Sequence, residues 1–190
     1  MSHFEHFCRP LSVAASIAIA FCSQAVSAQS LDDYHGAFVG EAAVVDPQAG
    51  TEAVRDIDIV IGKPDRGDLR IDWVNVDRVD GRRDVPGVKR RAGSLVFDQV
   101  DGGDYLVENR GYDPFHERDE LAPIEGDPLR WGYLGDDGLR IFSFVILDDG
   151  SYELQTYVRR LDGDRLELDF VRIVDGEVQR RITGRAQRAK

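Results

Sequence analysis

The chain has 190 residues, 31% of them charged, and its 35 acidic against 24 basic side chains give a net charge of −11. That balance argues against a nucleic acid partner, because a phosphate backbone rewards a concentrated positive face. Removing a 28-residue leader from the 190 leaves 162 residues, one domain's worth, enough to bury roughly 70% of its unfolded surface without disulfides or a structural metal.

The leader is read from Arg9, the apolar run Leu11 to Phe21 and the small or branched Val26-Ser27-Ala28, a pattern that predicts cleavage after Ala28 and a periplasmic or secreted product. The run is too short for a membrane span, which needs about 20 apolar residues, and no later segment is continuously apolar, so no transmembrane segment is expected. Both cysteines, Cys8 and Cys22, fall inside residues 1–28. The single domain 29–190 therefore offers no disulfide, thiol nucleophile or cysteine metal ligand. Phe21, directly before Cys22, argues against lipid attachment there.

Strands are expected near 37–45, 55–61, 69–76, 88–91, 94–100, 105–108, 129–134, 139–147, 152–160, 165–174 and 178–185, each alternating apolar and polar or rich in β-branched and aromatic residues. Asp-Gly, the strongest short hairpin signal, occurs six times, beginning at Asp80, Asp101, Asp137, Asp149, Asp162 and Asp175. The fold class is all-β, an antiparallel up-and-down meander of about ten strands. Such a sheet avoids bare edges by closing into a barrel, with a two-sheet sandwich as the alternative.

Assumed turn lengths assign the faces. A two-residue loop at Asp149-Gly150 sets Val145 against Leu154, Ser143 against Thr156 and Ile141 against Val158. Three-residue loops at 162–164 and 175–177 set Val158 against Leu168, Thr156 against Phe170 and Phe170 against Ile182. One face is then apolar or small, and the other carries Glu153, Gln155, Arg159, Glu167, Asp169, Arg181, Thr183 and Arg185 into water. Those charges argue against a lipid-facing barrel. A two-residue turn at Asp137-Gly138 sets Trp131 against Phe144 and Tyr133 against Phe142, with Tyr157 beside Phe142, all on the polar side as an aromatic patch.

The chemistry-bearing residues point away from catalysis. His116 lies among Asp113, Glu117, Asp119 and Glu120, but without the i, i+4 histidine pair or the fixed oxygen alternation that metal sites need, and His35 reads as a strand-start residue. Ser30, Ser94, Ser143 and Ser151 sit in no nucleophile elbow, and no glycine-rich phosphate loop opens a helix. No catalytic residue, metal or cofactor is assigned, and an enzyme is the weakest of the classes considered. Arg82, Arg83, Lys89, Arg90 and Arg91 read as a solvated basic hairpin, with docking of anionic lipid headgroups or an acidic partner as the alternative. The long connection 110–128 reads as a static plug or as a lid over a ligand, in either case with Tyr112, Phe115, Leu121 and Ile124 expected over the aromatic patch.

The entry strand Gly36-Ala37-Phe38-Val39-Gly40 resembles that of calycin-like barrels, the lipocalins and their bacterial relatives, which open with a glycine, an aromatic two residues on, and another glycine. Phenylalanine stands where tryptophan is usual, and no terminal arginine-bearing partner is matched. The resemblance implies a barrel with an internal apolar pocket.

The resulting expectation is an exported barrel that binds or carries a small apolar or amphipathic, lipid-like molecule. Phe38, Trp73 and Phe170 would be aromatic walls, and Arg130, Thr156 and Arg172 polar anchors. The rival is a protein–protein interaction module, a homo-oligomer included, that buries Trp131, Tyr133, Phe142, Phe144 and Tyr157 against a second chain. An internal cavity of roughly 300 Å³ or more favours the first, and a filled interior the second.

Overall fold

The computed structural model describes residues 29–110 and 121–190. The leader, the metal-like cluster around His116, and Tyr112 and Phe115 of the expected cover lie outside the described residues. Ten antiparallel strands run in chain order: β1 (Gly36–Asp46), β2 (Thr51–Gly62), β3 (Leu69–Asp77), β4 (Arg90–Gln99), β5 (Tyr105–Glu108), β6 (Leu129–Gly135), β7 (Gly138–Ile146), β8 (Tyr152–Asp162), β9 (Arg165–Val174) and β10 (Glu177–Arg188). Each pairs with its sequence neighbour, and β10 pairs back onto β1, so the sheet is a closed barrel and the sandwich alternative falls. The two short strands expected at 88–91 and 94–100 are one continuous strand, β4.

Alternation builds the wall. In β2, Arg55, Ile57, Ile59 and Ile61 are buried, while Asp56, Asp58 and Val60 between them are half-buried or exposed. One end of the barrel is packed solid by Phe38, Ile61, Leu69, Ile71, Phe97, Leu106, Leu139 and Leu166, none more than 2% exposed. Each such side chain contributes about 1.5–3 kcal/mol relative to leaving it in water. A 3₁₀ turn at Leu31–Tyr34 caps this end, and the Tyr34 hydroxyl donates to the Arg159 carbonyl at 3.2 Å. The entry-strand aromatic has its cationic partner after all: the Arg188 guanidinium lies 4.7 Å from the centre of the Phe38 ring and donates to the Asp33 carbonyl. The outer face carries exposed Glu41, Asp58, Arg70, Arg181 and Arg185 in mid-strand, a surface suited to water. Among the described residues no helix is long and apolar enough to cross a membrane.

Strand register departs from expectation in one place that matters. The β7–β8 loop has three residues: the Leu147 N–H donates to the Ser151 carbonyl, and Gly150 takes φ +84°. Val145 therefore faces Glu153, Ser143 faces Gln155 and Ile141 faces Tyr157. The β8–β9 loop has two residues, with Asp162 opposite Arg165 and Gly163 at φ +60° in its first position. These two one-residue errors cancel across β8, so β7 and β9 keep their expected faces and β8 alone turns over. Glu153, Gln155, Tyr157 and Arg159 point into the barrel and Leu154 and Thr156 lie on the outer side, while Val158, of the same alternation, is nevertheless buried and touches the cavity. The next hairpin compensates internally. A tight turn at Asp175-Gly176 is followed by a bulge at Gln179, which restores the expected Phe170–Ile182 pairing and turns Arg180 inward opposite Arg172.

Candidate functional site

Above the packed end the barrel holds a cavity of about 450 Å³. Its apolar wall comes from Ile57, Ile59, Ile71, Trp73, Leu95, Ile141, Phe170 and Ile182. Trp73 lies against Gly93, where an added Cβ would come within 2.3 Å of the indole, so the missing side chain there is what seats the ring. Phe170 meets Tyr157 with ring centres 4.7 Å apart.

Polar groups line the remainder, and they sort into two populations. The first is ion-paired or mutually hydrogen-bonded, although Arg55 Nε, ion-paired to Asp77, makes no hydrogen bond. Along the inward face of β8, the Tyr157 hydroxyl donates to Gln155 and the Gln155 amide to Glu153, which also accepts from Arg172 Nε at 2.7 Å. Burial alone would raise the Glu153 carboxyl, but hydrogen bonds from Arg172 and Gln155 and the Arg172 charge outweigh it and hold the group below its ordinary value. Arg55 and Arg91 of the lining pair with Asp77 at 3.3 and 3.0 Å; away from the lining, Glu108 pairs with Arg130 at 2.6 Å and with Arg110 at 3.1 Å. Asp169, also at the cavity, pairs with Arg160.

The second population is Arg159 and Arg180, which have no carboxylate partner among the described residues. Arg159 is 7% exposed, and its Nε and Nη1 have no hydrogen-bond partner; neither has Arg180 Nε. The Arg159 guanidinium sits 5.7 Å from the centre of the Tyr157 ring. Burial pushes its pKa down to about 10, with the Tyr157 and Tyr34 phenols opposing only in part. Burial likewise raises the Tyr157 hydroxyl, against the Arg159 and Arg130 charges.

The expected ligand residues are therefore divided. Trp73, Phe170 and Arg172 line the cavity. Phe38 is fully buried in the packed end instead, and Arg130 faces inward but is occupied by Glu108. Thr156 is not an anchor, because the turned-over β8 puts it on the outer face between Phe142 and Val171. The same turn-over removes Tyr157 from the aromatic patch and places it inside, and it corrects the assignment of Glu153, Gln155 and Arg159 to water.

The other four patch residues do assemble outside. Trp131 stacks on Phe142 at 5.3 Å, Tyr133 lies 6.2 Å from Phe142, and Phe144 stacks on Tyr152 at 6.0 Å. Their β6–β7 register differs by two residues from expectation, Trp131 facing Phe142 rather than Phe144, and a two-residue shift preserves the face. Of the expected cover, Ile124 does not serve, being 85% exposed. Sequence reasoning missed Arg55, Glu153, Tyr157, Arg159 and Arg180 at the cavity. For Glu153, Tyr157 and Arg159 the usable signal was their even spacing along β8, which puts them on a common face; Arg55 and Arg180 lie on β2 and β10.

No protein-family model matches the chain, and neither does any curated protein. Among solved structures, the chain is similar to the S-type phycobiliprotein lyase CPES of Guillardia theta, with a TM-score of 0.53 and 11% identity over 84% of this chain and 90% of that one. It is also similar to a protein of unknown function from the DUF3598 family of Nostoc punctiforme PCC 73102, with a TM-score of 0.50 and 12% identity over 85% of this chain. The match covers 49% of the Nostoc protein, about half its length. At these identities the likeness is one of fold: a ten-stranded, lipocalin-like meander barrel.

Proposed function

We propose that the protein is an exported binding or carrier barrel that holds one small, predominantly apolar molecule in its interior. The observation that carries this reading is the cavity of about 450 Å³ walled by isoleucines, Trp73 and Phe170. Cavities of roughly 300–1,000 Å³, mostly apolar with a few placed polar groups, are the usual form of small-molecule sites. The fold supports the reading as well, since closing the sheet buries both edges and leaves an enclosed interior. Export rests on the leader pattern of residues 1–28. Gln29, which cleavage after Ala28 would leave first, shares the Tyr34 hydroxyl proton with the Arg159 carbonyl, its Oε1 lying 2.8 Å from the hydroxyl, and donates to the Leu161 carbonyl.

A neutral fluorescent probe, N-phenyl-1-naphthylamine, tests the site. The expected result is saturable one-to-one binding with quenching of Trp73, lost in an Ile59→Trp variant that fills the cavity while remaining folded by circular dichroism. Equal binding by both proteins, or none by either, would remove the reading. Native mass spectrometry of protein from its own cell envelope reads the bound molecule directly, and N-terminal sequencing that begins at Gln29 reads export.

A further inference from the structure

The charges that line the barrel do not balance, and the imbalance is local. Among the described residues every inward carboxylate is already committed: Glu153 to Arg172, Asp77 to Arg55 and Arg91, Glu108 to Arg130 and Arg110. Arg159 is left nine-tenths buried at the cavity wall with two N–H groups unpaired, and Arg180 with one. A guanidinium removed from water without a partner is among the costliest groups a fold can hold. Arg180 is, moreover, brought inward by an extra residue, the bulge at Gln179, without which it would share the outer face of Val178. Bulges of this kind commonly re-aim a side chain next to a site.

We propose that the molecule bound in the cavity is an amphipathic organic acid, whose apolar body packs on the isoleucines and Trp73 and whose anionic head, a carboxylate, pairs with Arg159, with Arg180 adding a second positive charge to the same lining. The inference rests on the carrier reading and narrows it from an apolar ligand to an acid. A carboxylate accepts from several N–H donors at once, which is the valence Arg159 leaves open, and a charge-assisted hydrogen bond in an enclosed site is stronger than a neutral one. Arg172 and Arg130 are poorer candidates, because recruiting Arg172 would strip Glu153 of its cation and Arg130 does not line the cavity.

The test compares dodecanoate with dodecanol, equal in chain length and different in charge, by calorimetric titration of the purified protein at pH 7.5. The expected result is that wild type binds dodecanoate about ten- to a hundredfold more tightly than dodecanol, the factor a charge-assisted contact supplies. Arg159→Met abolishes that preference and leaves dodecanol binding unchanged or improved, and Arg159→Lys restores part of it. Arg180→Met reduces the preference less than Arg159→Met does, and it serves as the second variant should Arg159→Met fail to fold. Binding of dodecanol with no preference for dodecanoate would overturn the acid and leave the carrier standing. A preference that survives in both Met variants would also overturn it. Binding of neither compound would overturn both readings.

Discussion

Replacing Arg159 with methionine should make the ligand-free protein more stable. The guanidinium is 7% exposed, lacks partners on two nitrogens, and has its pKa pushed down to about 10 by burial. A depression of that size corresponds to about 3 kcal/mol of penalty for keeping the group charged at pH 7. Against it stands the contact with the Tyr157 ring, worth about 0.5–2 kcal/mol and partly retained by a polarizable thioether. The net expectation is a gain of about 1–2 kcal/mol, or roughly 2–8 °C in Tm for a domain of this size. The direction is familiar from buried ionic groups that hydrophobic replacements of similar volume improve on. Urea unfolding at pH 7, on protein stripped of ligand by refolding, measures it. Added dodecanoate should then reverse the order, stabilising wild type and leaving the variant almost unmoved. A variant less stable than wild type by 1 kcal/mol or more without ligand would mean that the guanidinium is satisfied in the folded chain, and the reasoning from its isolation would fail.

Three further outcomes follow from the same geometry. Gly40→Ala should cost about 3 kcal/mol or more, because its Cβ would lie 2.0 Å from the Arg185 carbonyl oxygen across the β1–β10 seam that closes the barrel. Gly62→Ala, with no atom within 4 Å of the added carbon, is the matched control and should stay within about 0.5 kcal/mol by urea midpoint. Thr156→Lys should change stability by less than about 1 kcal/mol; a loss above about 3 kcal/mol would return Thr156 to the interior and undo the orientation of β8. Glu153, whose folded pKa is depressed, contributes stability that is present above the unfolded carboxylate value of about 4.3 and is lost as pH falls through the folded value. Urea stability measured from pH 7 to pH 3 should therefore fall less steeply in Glu153→Gln than in wild type.

The barrel was legible in the sequence because most of its strands carry a clean two-residue period and because Asp-Gly marks their ends. What the sequence left ambiguous was the geometry behind that dipeptide. At Asp80, Asp101 and Asp175 both the aspartate and the following glycine have positive φ, whereas at Asp137, Asp149 and Asp162 only the glycine does. The same two letters thus close loops of different length, and one residue of loop length inverts a strand. In β8 the inversion was invisible for a second reason. Leu154, Thr156 and Val158 look like the core set, and Glu153, Gln155 and Arg159 like the wet one. Leu154 is nevertheless accommodated outside, opposite Phe144 and Ile173 on a wall that the aromatic stripe has made apolar. The strand breaks the hydrophobic pattern at the place where the cavity acquires its polar groups, as strands at functional sites tend to.

That coincidence argues that the polar interior is more than leftover composition. An inverted β8 puts Glu153, Gln155, Tyr157 and Arg159 inside together, yet only the first three resolve one another: Tyr157 to Gln155, Gln155 to Glu153, and Glu153 to Arg172. Had selection acted on stability alone, an aliphatic residue at position 159, beside Leu139 and Leu168, would extend the packed end at no electrostatic cost. The protein instead carries −11 overall while keeping unpaired cations at the cavity. The repulsion that the outer carboxylates exert on an approaching anion fades beyond about 8 Å at physiological ionic strength, whereas a guanidinium buried at the cavity wall beside the Tyr157 ring is screened far less. An acid that has partitioned its apolar body into the barrel therefore feels Arg159 more strongly than it feels the surface.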